Sequence, residues 1–312
     1  MVHAGPRPRR SLAPVEFRPP RALGVIVGGA LAVWALVAAV LCLRLAIGAG
    51  AEFKTFLAWS VGLGALLLAA LFAYWAYSLH TLVYLVERDS LVIRWGFQRI
   101  LVPIETIQRM VPGRTLDVAH VRGLNWWGCH IGSADVKRIG FTLFYSTHST
   151  PDELLYLVTS GQAFALTVLD QAAFAEEIQA RADLAPVEEL VQRATATNFV
   201  ALPFWRDRVS LICVSIAALA CAVLCGYVFA NYPGLPDVVE LSFPALGGVV
   251  RVGDKSELLR MAYLGAGILA ANTVLGVALH SRERAAGLWV FAGSGLLQGV
   301  LFGAALLAFS RT

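Results

Sequence analysis

Asp117, His120, Cys129 and His130 fall in one short stretch of the chain. Carboxylate, imidazole and thiolate are the groups that hold zinc, so metal binding is the first chemistry to test. The spacing fits no standard zinc pattern. Adjacent Cys129 and His130 on an extended chain would also point to opposite faces. Ordinary polar residues of a surface loop are the plainer reading, and neither a metal nor any other cofactor is expected. The remaining cysteines, Cys42, Cys213, Cys221 and Cys225, lie in apolar runs without a C-x-x-C spacing. They read as small apolar residues of helices rather than as a disulfide framework. No Walker loop, H-E-x-x-H, G-x-S-x-G or G-x-G-x-x-G is present. No catalytic residue is nominated, and the chain is expected not to be an enzyme.

Two other groups of residues suit binding. Arg88, Arg94 and Arg99 lie in the region of the first expected hairpin, and clustered guanidinium groups pair with phosphates. They are interleaved with Glu87 and Asp89, and no lysine accompanies them. That pattern argues against a dedicated inositol-phosphate site. It leaves weak attraction to anionic headgroups, or simply charged strand edges. Trp126 and Trp127 are paired in a segment read as a loop. Indole rings favour the membrane interface and equally serve as covers for a core, so both roles stay open. These five residues are the candidate lipid or partner contacts.

The elements that must position them are set by composition. The chain has 312 residues, of which 58% are hydrophobic and 15% charged, well below the roughly 25% charge of soluble domains. A net charge of +4 is too small to point to nucleic acid, and none is expected as a partner. Apolar runs at about 23–47, 56–79, 209–230, 258–279 and 288–309 are each long enough to span a bilayer, which takes about 20 residues. The tripeptide Ala49–Ala51 has the form of a signal-peptide cleavage site. The run before it exceeds the about 7–15 apolar residues of such peptides, so it is expected to be an uncleaved helix. Arg7, Arg9, Arg10, Arg18 and Arg21 precede the first run, Arg206 and Arg208 the third, and Arg282 and Arg284 sit between the fourth and fifth. By the positive-inside rule the N-terminus and the polar middle of the chain are cytoplasmic, and the C-terminus and the loop 231–257 are outside.

Glycines repeat at i, i+4 in two spans: Gly24 and Gly28 in the first, and Gly295, Gly299 and Gly303 in the last. Small-residue faces let helices approach closely. Packing within the bundle is the simpler use, and the last stripe is also the candidate face for a homo-oligomer. Asn272 and Gln298 are polar within spans but not ionisable, and one interhelical hydrogen bond would satisfy each.

The middle segment changes period. "TLVYLVER" and "SLVIRWG" read as two strands around the turn Arg88–Ser90, and "QRILVPIETIQRMVP" as a third strand in which Pro103 marks an edge or bulge. A looser stretch, "GRTLDVAHVRGLNWWGCHIGSADV", follows. The strands "KRIGFTLFYST", "ELLYLVTSG" and "QAFALTVL" come next, the last two joined by a turn at Ser160 and Gly161. Asp170 is a good N-cap for a helix with Phe174 and Ile178 on one face and a Glu177–Arg181 pair on another. A further short helix is expected from Pro186. The organisation is a basic cytoplasmic leader (1–22), a membrane hairpin (23–79), a β-rich domain (80–183), a helical linker (184–207) and a three-helix membrane module (208–312).

The runs "VERDSLVIRWGFQRILVPIETIQRM", "GLNWWGCHIG", "GFTLFYST" and "LLYLVTSGQAFALTVLDQAAFAEEIQAR" resemble the bacterial pleckstrin-homology-like (PH-like) domains of multi-span membrane proteins. The resemblance implies an α+β membrane protein. About five helices would accompany an inserted PH-like β-barrel, capped by a helix whose plug is Phe174 and Ile178, in the inner membrane of a bacterium. The stretch "YPGLPDVVELSFPALGGVVRVGDKSEL" resembles a second bacterial membrane module, with an outer loop of the form L-P-x-x-[IV]-P-x-H-[FW]. Leu235, Pro236, Phe243, Gly247 and Lys255 fit that pattern. Ser242 stands where its His would be, so no imidazole role carries over. The leading expectation is a non-enzymatic scaffold or signalling component that uses the PH-like domain to meet a protein or lipid. The alternative is an envelope sensor or toxin-immunity type of protein acting through loop 231–257; a transporter is a second alternative.

Overall fold

The computed structural model describes residues 13–116, 120–184, 190–196, 202–241 and 251–310. Strand β1 (Val15–Phe17) is followed by helices α1 (Ala22–Ala46) and α2 (Phe53–His80). Strands β2 (Val83–Val86), β3 (Ser90–Trp95), β4 (Gln98–Pro103), β5 (Ile107–Pro112), β6 (Arg122–Trp126), β7 (Cys129–Val136), β8 (Gly140–Ser146), β9 (Leu154–Thr159) and β10 (Ala163–Thr167) precede α3 (Gln171–Ala182). Then come β11 (Arg193–Ala196), α4 (Arg208–Asn231), β12 (Val238–Leu241), β13 (Arg251–Asp254), α5 (Ser256–His280) and α6 (Arg284–Ser310).

Helices α1, α2, α4, α5 and α6 are long and apolar enough to cross a membrane. Large apolar side chains stay uncovered along them, among them Trp34, Leu67, Leu219, Val274 and Leu296. Patches of that extent are rare on proteins that meet only water. The make-up is that of a multi-pass membrane protein. The chain divides into two compact units, residues 1–34 with 68–198 and residues 35–67 with 199–312.

The first unit is built on two sheets. One has the order β1-β2-β3-β4-β11, the other β5-β9-β10-β8-β7-β6. The expected barrel is therefore not a single closed sheet. The chain changes sheet at a tight 3-10 turn, Ile104–Thr106, directly after Pro103. Proline has no N–H to extend a ladder, so "QRILVPIETIQRMVP" makes two strands where one was expected. Residues facing inward from both sheets form the core. Tyr84, Ile93 and Val102 come from one, Leu157, Phe164 and Leu166 from the other, and Phe174 and Ile178 of α3 close it. The Tyr84 hydroxyl donates to the Tyr145 carbonyl and accepts from the Thr167 N–H, tying the two sheets together. Asp170 caps α3 as expected, accepting from the Ala173 N–H at 2.9 Å.

The structure adds to the sequence reading and departs from it in places. The looser stretch contains a regular hairpin, β6 with β7, paired from Arg122↔Ser133 to Trp126↔Cys129. Part of the leader is a strand: β1 pairs with β2 and stacks Phe17 edge-on against Phe174. The expected Glu177–Arg181 pair is present, and β1 brings Arg181 a second partner. Its side chain is fully covered, and it also donates to the Ala13 carbonyl at 3.1 Å. The linker carries strand β11 on β4 and a 3-10 turn at Pro203–Arg206, where helix was expected. Only Thr195 of this stretch favours a strand, so its pairing comes from the open edge of β4 beside it and not from propensity. The helix expected from Pro186 begins outside the described residues.

The second unit packs α4, α5 and α6 around Leu224, Val228, Ala262 and Ala305. Gln298 is fully buried and donates to the Gly265 carbonyl at 2.7 Å, the interhelical bond its position called for. At one end of the bundle Asp207 gathers three helices. It caps α4 through the Val209 N–H and takes the Ser210 hydroxyl. It also lies 3.0 Å from His280 Nε2 and 2.8 Å from Arg284 Nε. The Arg284 guanidinium first, and His280 second, hold this carboxyl well below the usual carboxylate range. Ser210 bonds to the carboxylate and not to the imidazole, so the three are not ordered as nucleophile, base and orienter.

Candidate functional site

Two hairpin turns of the first unit rest on the ends of its helices. At the first, Gly96 donates its N–H to Thr81 Oγ1 at 2.9 Å. The next residue, Phe97, stacks on Tyr74 at 5.6 Å and leans on Tyr77 at 5.7 Å. At the second, Trp126 meets Trp75 edge-on at 4.8 Å and Phe72 at 5.9 Å. Gly128, with φ +76, fits against the backbone of Gly24 in the first turn of α1. The Arg21 guanidinium donates to the His80 carbonyl, joining the start of α1 to the end of α2. Lys, Arg and His suit that place because the last carbonyls of a helix are otherwise unpaired.

The paired tryptophans have different surroundings. Trp126 ends a strand and packs on helix and core. Trp127 is 77% exposed at the hairpin tip. Helix α2 has 28 residues. At about 1.5 Å per residue it is about 42 Å long against a hydrocarbon core of about 30 Å. Phe72, Tyr74, Trp75 and Tyr77 fall in its last third, where aromatic rings meet headgroups in a spanning helix.

The arginines are not brought together as one cluster. Arg88 lies 3.9 Å from Asp89 and is exposed, a pairing worth little. Arg99 reaches Glu87 at 3.3 Å. Arg94 and Arg99 stand directly opposite across β3 and β4. Like charges so placed repel, and Phe97 lies in the turn between them.

Of the residues weighed for metal binding, Cys129 and His130 are packed into the β6–β7 hairpin, and His120 is exposed. Burial pushes the Cys129 thiol up to about 12, which opposes the thiolate a metal needs. The Trp126 indole N–H is its polar neighbour but makes no hydrogen bond of good geometry. His130 Nδ1 lies 2.6 Å from Asn125 Oδ1 across the hairpin, and burial lowers its pKa. Asp117 lies outside the described residues. Among the described residues no group of three or more His, Cys, Asp or Glu is placed to hold a metal.

In the second unit, Leu235 and Pro236 precede β12, which pairs with β13. Lys255 is engaged locally: it bridges to Asp237 at 2.8 Å and sits 5.5 Å over the Tyr232 ring. Phe243 and Gly247 lie outside the described residues. Gly295, Gly299 and Gly303 meet no neighbouring atoms where a Cβ would sit.

One feature of the first unit had no sequence signal: a groove of about 1020 Å³ beside β5. Met110, Leu155 and Val168 line it together with Ala172 and Ala175 of α3. Asp152, Glu153 and Asp170 stand along it against Arg114 and His148. Its lining draws on Pro20, on β5 with the 3-10 turn after it, and on the stretch from His148 to α3, so no local pattern could have revealed it. Asp207 was legible in principle, as an N-cap residue before an apolar run.

A membrane-type helical frame with a two-sheet, helix-capped unit is the class these observations define. Within it, residues 82–182 match the bacterial PH domain family. No curated protein and no solved structure matches the chain.

Proposed function

We propose that the chain is a non-enzymatic integral membrane protein whose PH-like unit is a docking platform held on the cytoplasmic membrane surface. The observation that carries this reading is the aromatic seat: Phe97 on Tyr74 and Tyr77, and Trp126 on Trp75 and Phe72. A domain seated there needs no lipid affinity to reach the membrane. Its remaining surface is available to a protein partner at high effective concentration. Arg94 and Arg99 add weak attraction to anionic headgroups.

Trp127 provides the test. The full chain is placed in nanodiscs whose lipids are brominated either high on the acyl chain or near its end. Emission of the wild type minus that of Trp127→Phe isolates the one indole. The expected result is strong quenching by the high bromines and little by the low ones. A difference spectrum that neither lipid quenches would overturn the seat.

A second reading assigns a sensor or immunity role to the loop 231–257. It is favoured by the β12–β13 hairpin, with Lys255 bridged to Asp237. Deleting that hairpin without any envelope-stress phenotype would remove the reading. The open glycines of α6 support self-association of the chain through that face.

A further inference from the structure

Helix α5 turns two faces in opposite directions. Leu258, Ala262, Gly265, Gly276 and His280 are buried. About half a turn away, Arg260, Tyr263, Leu264, Gly267, Ile268 and Ala271 line an open slot of about 500 Å³. Steps of three and four residues put them on one stripe of the helix. A Cβ on Gly267 would meet nothing, so the floor of the slot is open. Arg260 is the residue that sets this face apart. It is the fifth residue of α5. No other Asp, Glu, Lys or Arg of the five long helices stands so far from a helix end. Centred in a hydrocarbon core of about 30 Å, α5 places it about 12 Å from the midplane, at about 1.5 Å per residue. A charge inside the hydrocarbon edge is costly unless it is paired. Among the described residues its guanidinium has no hydrogen-bond or ion-pair partner.

Charge and length together select the occupant. From Arg260 to Ala271 the slot runs for about 16 Å, the depth of one leaflet of that core. Below Arg260 and Tyr263 its lining is apolar. A phosphate at one end and a single acyl chain along the rest match that layout. We propose that this slot binds one anionic phospholipid of the leaflet in which α5 begins. Its phosphate pairs with the Arg260 guanidinium, which extends towards headgroup level as long basic side chains near helix ends do. The Tyr263 hydroxyl donates to the same phosphate. One acyl chain lies over Gly267 and Ala271, between Leu264 and Ile268. Guanidinium matches phosphate bidentately. A headgroup with its own ammonium neutralises its phosphate internally, so an unpaired guanidinium favours a lipid with net negative charge, such as phosphatidylglycerol. The site lies in the second unit and does not depend on the seating of the PH-like unit.

The test uses the full chain, purified in detergent and stripped of lipid. Phosphatidylglycerol and phosphatidylethanolamine of equal acyl length are offered at equal concentration, and native mass spectrometry counts the lipids retained. The wild type should retain one phosphatidylglycerol in preference to phosphatidylethanolamine. Arg260→Gln removes the cation, and Gly267→Trp fills the open floor. Each should weaken that retention about tenfold. Equal retention of the two lipids, or retention unchanged in Arg260→Gln, would overturn the proposal. So would a wild-type dimer that Gly267→Trp splits, because the face would then belong to a second copy. Both variants should melt with the wild type in lipid-free detergent, which separates loss of lipid from loss of fold. If the tryptophan disturbs α5, Arg260→Gln decides alone.

Discussion

Gly24 and Gly28 in α1 share their spacing with Gly295, Gly299 and Gly303 in α6, but the two stripes have opposite surroundings. A Cβ on Gly24 would overlap the Gly128 carbonyl oxygen, and one on Gly28 would sit 3.2 Å from Ala76 Cβ. The α6 glycines meet nothing at that range. α6 turns a different face inward, with Phe291, Ser294, Gln298 and Ala305. Close approach is therefore a property of the partner surface as much as of the motif. In α1 that surface includes a β-hairpin turn, which no helix–helix rule anticipates. The α4–α6 bundle packs on its apolar core and makes its close approaches at Gly276 and Gly287, with polar anchors added at Gln298 and Asp207.

The largest effect should come from Gly24→Leu. The added side chain has no space against Gly128 and Leu79, and overpacking of this kind costs about 3 kcal/mol. Thermal unfolding in detergent should show the first unit melting early. A wild-type melt would break the comparison at its strongest point.

Asp207→Asn should come next. The carboxyl has a folded pKa well below its ordinary value of about 3.9. A depressed pKa gives stability that is present above the unfolded value and lost as pH falls through the folded one. The wild type should therefore melt above the variant at pH 5–7, with the gap closing only as the pH drops below about 4. A gap that closes between pH 6 and 7 would assign the effect to some other group.

Gln298→Leu removes one interhelical hydrogen bond, worth about 1 kcal/mol in a membrane setting. Its Oε1 is buried without a partner, so part of the loss is offset. A small drop in melting temperature is expected, and a loss above about 3 kcal/mol would mean the bundle depends on it far more.

Gly299→Leu should change the melting of the single chain by no more than about 0.5 kcal/mol. Energy transfer between donor- and acceptor-labelled copies in one bilayer then sharpens the comparison. Loss of transfer in the variant makes the α6 stripe a contact between copies. Transfer that is absent from both proteins, or unchanged, makes it a lipid-facing surface.

Much of this was legible in the residues. The five long apolar helices, the α3 cap at Asp170 and the shared face of Phe174 and Ile178 follow from period and capping chemistry, which act within a few residues; that this face closes the core was implied by the family resemblance. The β6–β7 hairpin was missed because its turn is Trp127-Gly128, without the Asn or Asp that usually marks one. β1 and β11 were missed because three- or four-residue strands have no period to read. They exist only because an edge of the first sheet is there to receive them.

Composition by itself determined that the chain is membrane-type with a β-rich insert, since apolar run length and alternation are local and additive. Tertiary structure alone decided which tryptophan packs and which is exposed, and which glycine stripe is filled. It also decided that Arg94 stands opposite Arg99, that Asp207 gathers three helices, and that a groove opens beside β5. Those outcomes depend on strand register and on contacts between residues far apart in the chain. Spacing along a sequence carries no record of the surface that a residue will meet.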